Sequence, residues 1–404
     1  MNDSLRSQFP SLSRIINGHP VVHLDGPAGT QVPQSVIDAI TAVYTQSNAN
    51  THGQFITSME TDELINHART QMSALLGADG GHTISFGANM TSMNFVLANA
   101  IARSLQPGDE ILITQLDHEA NRGPWLQQRK HGIVVREVLL DEDGSLDYSD
   151  FEKKISEKTR VIAMGLASNI FGTVNEIDRV RQLAYKSGAL LVVDAVHYLP
   201  HLLTDVKEID CDFLLCSAYK FYGPHVGILY SREGALDRLD TDRLRTQAQH
   251  APYRIERGTL NHAALAGVSA AVDFIASLGE GYLLRDRIIS AMANIQKHER
   301  GLAQQLYLGL REIDGIEIYG PALKETHRAP TLAFTIENYT PEQICKQLSS
   351  KSICAWDGHF YALRAVEVMG LLAQGGVTRM GVAAYNTAKE IEYVISSLQD
   401  ALKK

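Results

Sequence analysis

The chain has 404 residues, 45% of them hydrophobic and 21% charged, with a formal net charge of -9. That length fits two or three structural units around a well-buried core, and the acidic balance argues against broad binding to nucleic acid or an anionic membrane. No apolar run is long enough to cross a bilayer, the opening "MNDSLRSQFPSLSRIINGHP" lacks the layout of a signal peptide, and the four cysteines form no CxxC pair, so a reducing, cytoplasmic setting is expected.

Strand and helix patterns alternate through the first two-thirds of the chain. "TDELINHARTQMSALLG" puts Leu64, Ala68, Met72 and Leu75 on one helical face, with Thr61 placed to cap it and Gly77 to end it. "HTISFG" reads as a strand and "ANMTSMNFVLANAIARSL" as the helix behind it. The apolar strands "DEILIT", "GIVVREVLL", "TRVIAMGLAS", "ALLVVDAV" and "CDFLLCSA" follow, with Cys211 and Cys216 expected in the core. Such near-continuous apolar strands between helices predict a mostly parallel sheet covered on both faces. "GADGG" lacks both GxGxxG and a GK[ST] ending and reads as a turn.

The last third changes character. Residues Leu284 to Glu312 form one long amphipathic helix pattern, followed by the strands "GIEIYG", "TLAFTIEN" and "ICAW" with a helix at "PEQICKQLSSK". The final helix opens on Thr387 and Glu390 at capping-box spacing. The expected organisation is an N-terminal segment, 1–20, packing with a small domain; a large domain, 21–268; and a small C-terminal α+β domain, 269–404.

Polar residues collect where strands end. Asp194 ends "LLVVD", Lys220 follows "FLLCSAY", Asn169 follows "VIAMGLAS", and His118 follows "ILITQLD". Ligands of open α/β sheets gather at those carboxyl ends. The "SFGANMTS" turn leads into a helix N-terminus suited to phosphate. One cofactor, pyridoxal 5'-phosphate, uses all of these: a lysine for its aldehyde, a carboxylate for its ring nitrogen, a phosphate cup and a flat group over the ring. Lys220 would hold the aldehyde and then move protons, and Asp194 would bind the ring nitrogen. Gly223-Pro224 and Gly227 would fix the close turn beside it.

From end to end the chain resembles the class V aminotransferase-fold enzymes, specifically the branch of cysteine desulfurases and selenocysteine lyases. "LDGPAGTQVP" is similar to the family's "LDNAATTQ", "LDHEANRGPW" to "EHHANxxPW", and "SNIFGTVNEI" to "SNxxGxxxPI". "VVDAVHYLPH" resembles "VDGAQ", "SAYKFYGPHVGILY" resembles "SGHKxxGPxGxGxLY", and "IERGTLN" and "TRMGVAAYNT" resemble "FExGTxN" and "xRxSxxxYNT". The resemblance implies fold type I, the aspartate aminotransferase-like α/β architecture, and a homodimer with shared sites. It also implies that His118 stacks on the cofactor ring, that His197 lies near the ring hydroxyl, and that Asn89 and Ser217 contact the phosphate. Asn169 would lie beside the cofactor or the substrate carboxylate, Thr259 would reach the phosphate in the partner subunit, and Arg379 would pair with the carboxylate of an amino acid. Asn89 and Ser217 also suit helix and turn caps.

Three departures bear on the reaction. Tyr219 stands where the family commonly has His, and residue 197 is His rather than Gln. The desulfurase loop "RTGHHCA" aligns with "WDGHFYA", residues 356–362, so Tyr361 takes the place of the sulfur-accepting cysteine. Cys354, on a strand by pattern, reads as a buried small hydrophobe. These departures imply a carbon–sulfur or carbon–selenium lyase without the usual cysteine. Epimerisation, racemisation or amino transfer on the same cofactor is the alternative, and a non-catalytic scaffold the reading from another class. Asn50, His52, Gly26-Pro27-Ala28 and the 356–361 loop are the candidate contacts to the substrate side chain. No metal is expected: Pro200 breaks the helix that would pair His197 with His201, and no third ligand is evident.

Overall fold

Seven strands form the central sheet, in the spatial order Ile84–Gly87, Gly227–Ser231, Phe213–Ser217, Leu190–Asp194, Thr159–Gly165, Glu110–Thr114 and Val134–Val138. The computed structural model describes residues 3–323 and 328–402; the remaining residues of the expected outer segments lie outside the described residues. Neighbouring strands run parallel except at Gly227–Ser231, which is antiparallel to both of its partners. Strands 110–114, 213–217 and 227–231 are buried at every position, so both faces of the sheet are covered, as their unbroken apolar runs require. Alternate residues feed opposite cores. Met164, Val193 and Leu214 pack with the helices Ile56–Leu76 and His262–Ala276, whereas Ala163, Val192 and Phe213 pack with Met90–Ala102 and Trp125.

The helix expected to start at Thr61 begins earlier, at Ile56. Thr61 lies inside it, its hydroxyl donating to the carbonyls of Thr57 at 3.0 Å and Ala49 at 3.2 Å, so it ties the preceding loop instead of capping the helix. Gly77 ends the helix at φ 68°, a left-handed conformation that favours glycine.

The helix Leu284–Arg311 joins the two cores. Ile288, Met292 and Ile295 enter the large core, and Leu302, Leu306 and Leu310 enter the small one. The cores therefore divide within this helix, later in the chain than the 268/269 boundary read from sequence. The N-terminal segment also divides differently from that reading: Leu5, Phe9 and Leu12 pack in the large core, where Phe9 makes edge contacts with Tyr222, Phe274 and Tyr385. The chain joins the small domain at Val22–His23, which pairs in parallel with Ile353–Cys354.

The small domain is a four-stranded antiparallel sheet ordered Ile316–Tyr319, Thr331–Ile336, Val377–Gly381, Trp356–Gly358. The predicted strand "ICAW" is thus two short pieces serving different sheets, because the chain turns between Cys354 and Trp356. The last helix, Ala388–Leu402, opens on the expected reciprocal cap: the Glu390 carboxylate accepts from the Thr387 N–H at 2.8 Å, and the Thr387 hydroxyl accepts from the Glu390 N–H at 3.2 Å. Among the described residues no helix is long and apolar enough to cross a membrane.

One close approach fixes the turn between the first strand and the helix after it. A Cβ added at Gly227 would lie 2.3 Å from the backbone carbonyl carbon of Asn89. Gly227→Ala is expected to lower stability by about 1–3 kcal/mol, as overpacking does, read as a lower midpoint in urea unfolding; an unchanged midpoint would show that this turn tolerates displacement.

Candidate active site

The carboxyl ends of the parallel strands open into a cavity of about 590 Å³, closed on its far side by the small domain. Lys220, Asp194, His118, His197, Asn169 and Arg379 all line it, as do Asn89, Ser217 and Tyr361. Register explains the convergence. Gly165, Asp194 and Leu215 are paired neighbours across three strands, so Asp194 and the turn carrying Lys220 leave the sheet side by side.

Lys220 donates from Nζ to the Pro27 carbonyl, and its amine lies 5.1 Å from the Tyr219 ring centroid. Its exposed area is moderate and borders the cavity, yet protein surrounds the amine. Burial lowers its pKa to about 7; Arg379 pushes in the same direction, and Asp194 opposes them. A lysine so placed carries a large neutral, nucleophilic fraction near neutral pH. Asp194 is the complementary case. Its Oδ1 accepts the Val196 N–H at 2.8 Å, and no described cation forms an ion pair with it. Burial raises its pKa to about 7; the Val196 bond opposes this, and the nearby Asp117 adds to it.

His118 caps the helix Glu119–Leu126, its Nδ1 accepting the Ala120 N–H at 2.9 Å. That bond leaves the proton of the neutral ring on Nε2. Burial lowers the pKa of His118 to about 4, with Lys220 and Arg379 contributing, so the imidazole is uncharged and free to lie flat against an aromatic ring. His197 is buried, bonds Thr331 through Nε2 at 3.0 Å, and is likewise kept neutral by burial. Its neighbour His201 is 2.8 Å from Glu299 through Nδ1.

At the opposite end Ser217 accepts the Met90 N–H at 3.0 Å, and Asn89 accepts the Ser92 N–H at 2.8 Å. Both therefore cap the helix whose N-terminus borders the cavity, and a phosphate bound there would meet the same backbone donors. Arg379 is 3% exposed, donates to the Asn169 carbonyl at 2.9 Å and lies 4.0 Å from the Phe360 ring centroid. No described carboxylate forms an ion pair with it, and burial lowers its pKa to about 9. A buried guanidinium without a carboxylate has strong reason to bind one.

Of the residues read as substrate side-chain contacts, Asn50, His52 and Gly26 do not line the cavity, whereas Pro27, Ala28, Trp356, Phe360 and Tyr361 do. His52 is exposed and sits 3.2 Å from Asp62, and Thr259, expected to reach the phosphate in the partner subunit, lies on an exposed loop. Cys354 is also placed differently: it is half-buried beside His23 and Asp25, where the sequence pattern made it a buried hydrophobe. Cys354 departs from expectation because sequence pattern gives the face of a strand but not what covers it.

The sequence reading gave no role to Asp117, yet it is buried in the cavity wall. It accepts the Gly165 N–H at 2.6 Å, and burial raises its pKa to about 6. Its place immediately before His118 at a strand end was the available signal. Trp356 and Phe360 belong to the 356–361 loop read as a candidate contact to the substrate side chain, and both line the cavity.

The residues fit pyridoxal 5'-phosphate on their own chemistry: a neutral amine for its aldehyde, an acid without a cation for its ring nitrogen, a neutral flat histidine, and a helix N-terminus for its phosphate. The comparisons agree with this fit. The profile of a family described as Aminotransferase class-V matches residues 22–394. A probable cysteine desulfurase of Halalkalibacterium halodurans is 30% identical over 411 residues, covering 98% of this chain and 96% of that relative. The apo structure of a cysteine desulfurase from Thermococcus onnurineus superposes with a TM-score of 0.88 at 25% identity, over 100% of this chain and 98% of that one. A cysteine desulfurase of Escherichia coli gives a TM-score of 0.86 at 26% identity, over 100% and 99%.

The electrostatics of the amine are directly measurable. Competitive acylation of the cofactor-free chain should report a Lys220 pKa of about 7, so labelling of this lysine rises between pH 6 and pH 8 while surface lysines stay protonated. Arg379→Met should raise that value and Asp194→Asn lower it; an amine titrating with the surface lysines would contradict the burial argument.

Proposed function

Because the chain belongs to the class-V aminotransferase family, whose members are pyridoxal 5'-phosphate-dependent enzymes, we propose that it cleaves a carbon–sulfur or carbon–selenium bond of an amino acid without an acceptor cysteine of its own. The bound cofactor supplies an electron-withdrawing ring that acidifies the substrate's Cα proton. Lys220 and Asp194 would hold it at aldehyde and ring nitrogen, His118 would lie against its face, and Asn89 and Ser217 would line its phosphate cup. His197 would sit by the ring hydroxyl.

Arg379 grips the α-carboxylate, with Asn169 fixing the guanidinium through its carbonyl. Lys220 Nζ, once free, takes the Cα proton. The Cβ–sulfur electron pair then leaves with sulfur, which departs as a thiol after gaining a proton. No enzyme thiolate is needed for this order of events. The observation that carries the reading is the cavity wall itself. Among the described residues that line it there is no cysteine, and Tyr361 faces it from the segment where the family resemblance puts the acceptor. Cys211 and Cys216 are buried in the large core, where burial pushes their thiols up, and burial takes Cys345 to about 12.

We place the enzyme in a reducing, cytoplasmic setting, in keeping with its four free cysteines. Dimerisation is part of the same proposal. Ile37 and Tyr44 on the helix Gln34–Gln46, and Phe55, Ile56 and Met59 at the start of the helix Ile56–Leu76, are exposed and need cover, and the exposed Thr259 loop is free to reach a second copy. A chain that sediments as a monomer yet retains the cofactor fully would contradict this arrangement.

Incubation with cysteine or selenocysteine should yield pyruvate and ammonia with released sulfide or selenide. Lys220→Ala should lower kcat/KM by about 10²–10⁴-fold, and Cys354→Ser should leave it nearly unchanged. Collapse of turnover in Cys354→Ser would overturn the reading. Solvent deuterium at Cα of an otherwise intact substrate would replace it with epimerisation.

A further inference from the structure

The segment that closes the cavity presents three aromatic side chains to it. Trp356 and Tyr361 are 50% and 68% exposed, and Phe360 lies under the Arg379 guanidinium. Large apolar surface left open beside a buried polar site marks a ligand contact rather than a core. The backbone is bent to achieve this. Phe360 and Tyr361 have φ of 49° and 58°, consecutive left-handed residues that are not glycine. The strained pair is held from the site side: Asn169 Nδ2 donates to the Phe360 carbonyl at 2.9 Å, and the Glu119 N–H donates to the Tyr361 carbonyl at 2.7 Å. His118, one residue earlier, lies 5.6 Å from the Tyr361 ring.

Charge narrows what such a wall accepts. The lysine and arginine side chains lining the cavity are Lys220 and Arg379, and the acids are Asp117, Glu119 and Asp194. Once Arg379 holds the α-carboxylate and Lys220 serves as the base for the Cα proton, no lining lysine or arginine is left for an acidic side chain. Glu119 lies at the aromatic side, its carboxylate already taken by Arg122 at 3.1 Å, and offers an acidic side chain no partner.

We propose that Trp356, Phe360 and Tyr361 form a side-chain pocket that selects amino acids ending in an apolar or aromatic group. Within the lyase reading, the substrate class is a cysteine whose sulfur carries an alkyl or aryl substituent. The proposal rests on the cavity taking an α-amino acid, and it extends that reading from the reacting bond to the group beyond it. Such a substrate suits a site with no acceptor thiolate, because the sulfur leaves already bonded to carbon as a stable thiol.

Binding is separable from turnover with α-methyl amino acids, which lack the proton Lys220 removes. The chain has two tryptophans, Trp125 and Trp356; Trp125 is fully buried and Trp356 is half-exposed in the cavity wall, so ligand-induced changes in intrinsic emission report the latter. Titrated into the holoenzyme, α-methylphenylalanine should change that emission with a Kd about tenfold or more below that of 2-aminoisobutyrate, as burial of an aromatic group predicts. α-Methylaspartate should bind no better than 2-aminoisobutyrate. By calorimetry, Trp356→Ala should bring the first two ligands to within about threefold of each other, and Tyr361→Ala, with Trp356 intact, should weaken α-methylphenylalanine alone. Equal affinities in the unaltered enzyme, or a preference for the aspartate analogue, would overturn the pocket. Thiol release from S-benzylcysteine tests the reaction separately: aromatic preference without release keeps the pocket and defeats the lyase reading, and release without preference does the reverse.

Discussion

Burial of a lysine, an arginine and an acid around one cavity is the constraint on which this site depends. Lys220 and Arg379 repel each other and are both desolvated, which lowers the amine's pKa to about 7 while the guanidinium stays charged. Asp194, buried near Asp117, lacks a cationic partner of its own and holds a proton more tightly than a surface carboxyl. Each group is costly by itself. Together they describe a place for a cofactor that brings an aldehyde and a basic ring nitrogen and for a substrate that brings a carboxylate. The site is incomplete electrostatically without one.

The fold sets these positions by register. Gly165 pairs with Asp194, which pairs with Leu215, so the ends of neighbouring parallel strands lie level and their loops meet. A Cβ at Gly165 would come within 2.9 Å of the Asp117 carboxylate, so the small residue keeps that acid close to Asp194. The small domain completes the wall with Arg379 on one strand and Trp356 opposite it on the next. In the proposed reading, substrate carboxylate and substrate side chain would be read by neighbouring strands of one sheet, and the reacting centre held by another.

Much of this was legible in the sequence because strand ends are marked by abrupt changes from apolar to polar residues. "LLVVD" and "FLLCSAYK" each announce the point where a buried strand gives out, and Asp194 and Lys220 are both found lining the cavity. Asn89 could not be divided between cap and phosphate contact from sequence, and the structure shows why: one residue caps the helix while lining the cavity. What sequence could not give was longer in range. The start of the helix before Gly77 was missed because Thr61 is a plausible cap by type, yet its hydroxyl bonds the Ala49 carbonyl far upstream. The division of the cores falls inside a continuous amphipathic helix, where periodicity carries no break. His52 was read as a substrate contact and lies outside the cavity, and Thr259, expected to reach the phosphate in a partner subunit, is exposed on its loop.

Covalent attachment at Lys220 is the claim with the most resting on it, and reductive trapping tests it most directly. Borohydride treatment of the protein loaded with pyridoxal 5'-phosphate, followed by digestion and peptide mapping, should fix one phosphopyridoxyl group per chain on the peptide containing "SAYKFYGPH". Label on another lysine, or none after loading, would contradict the account.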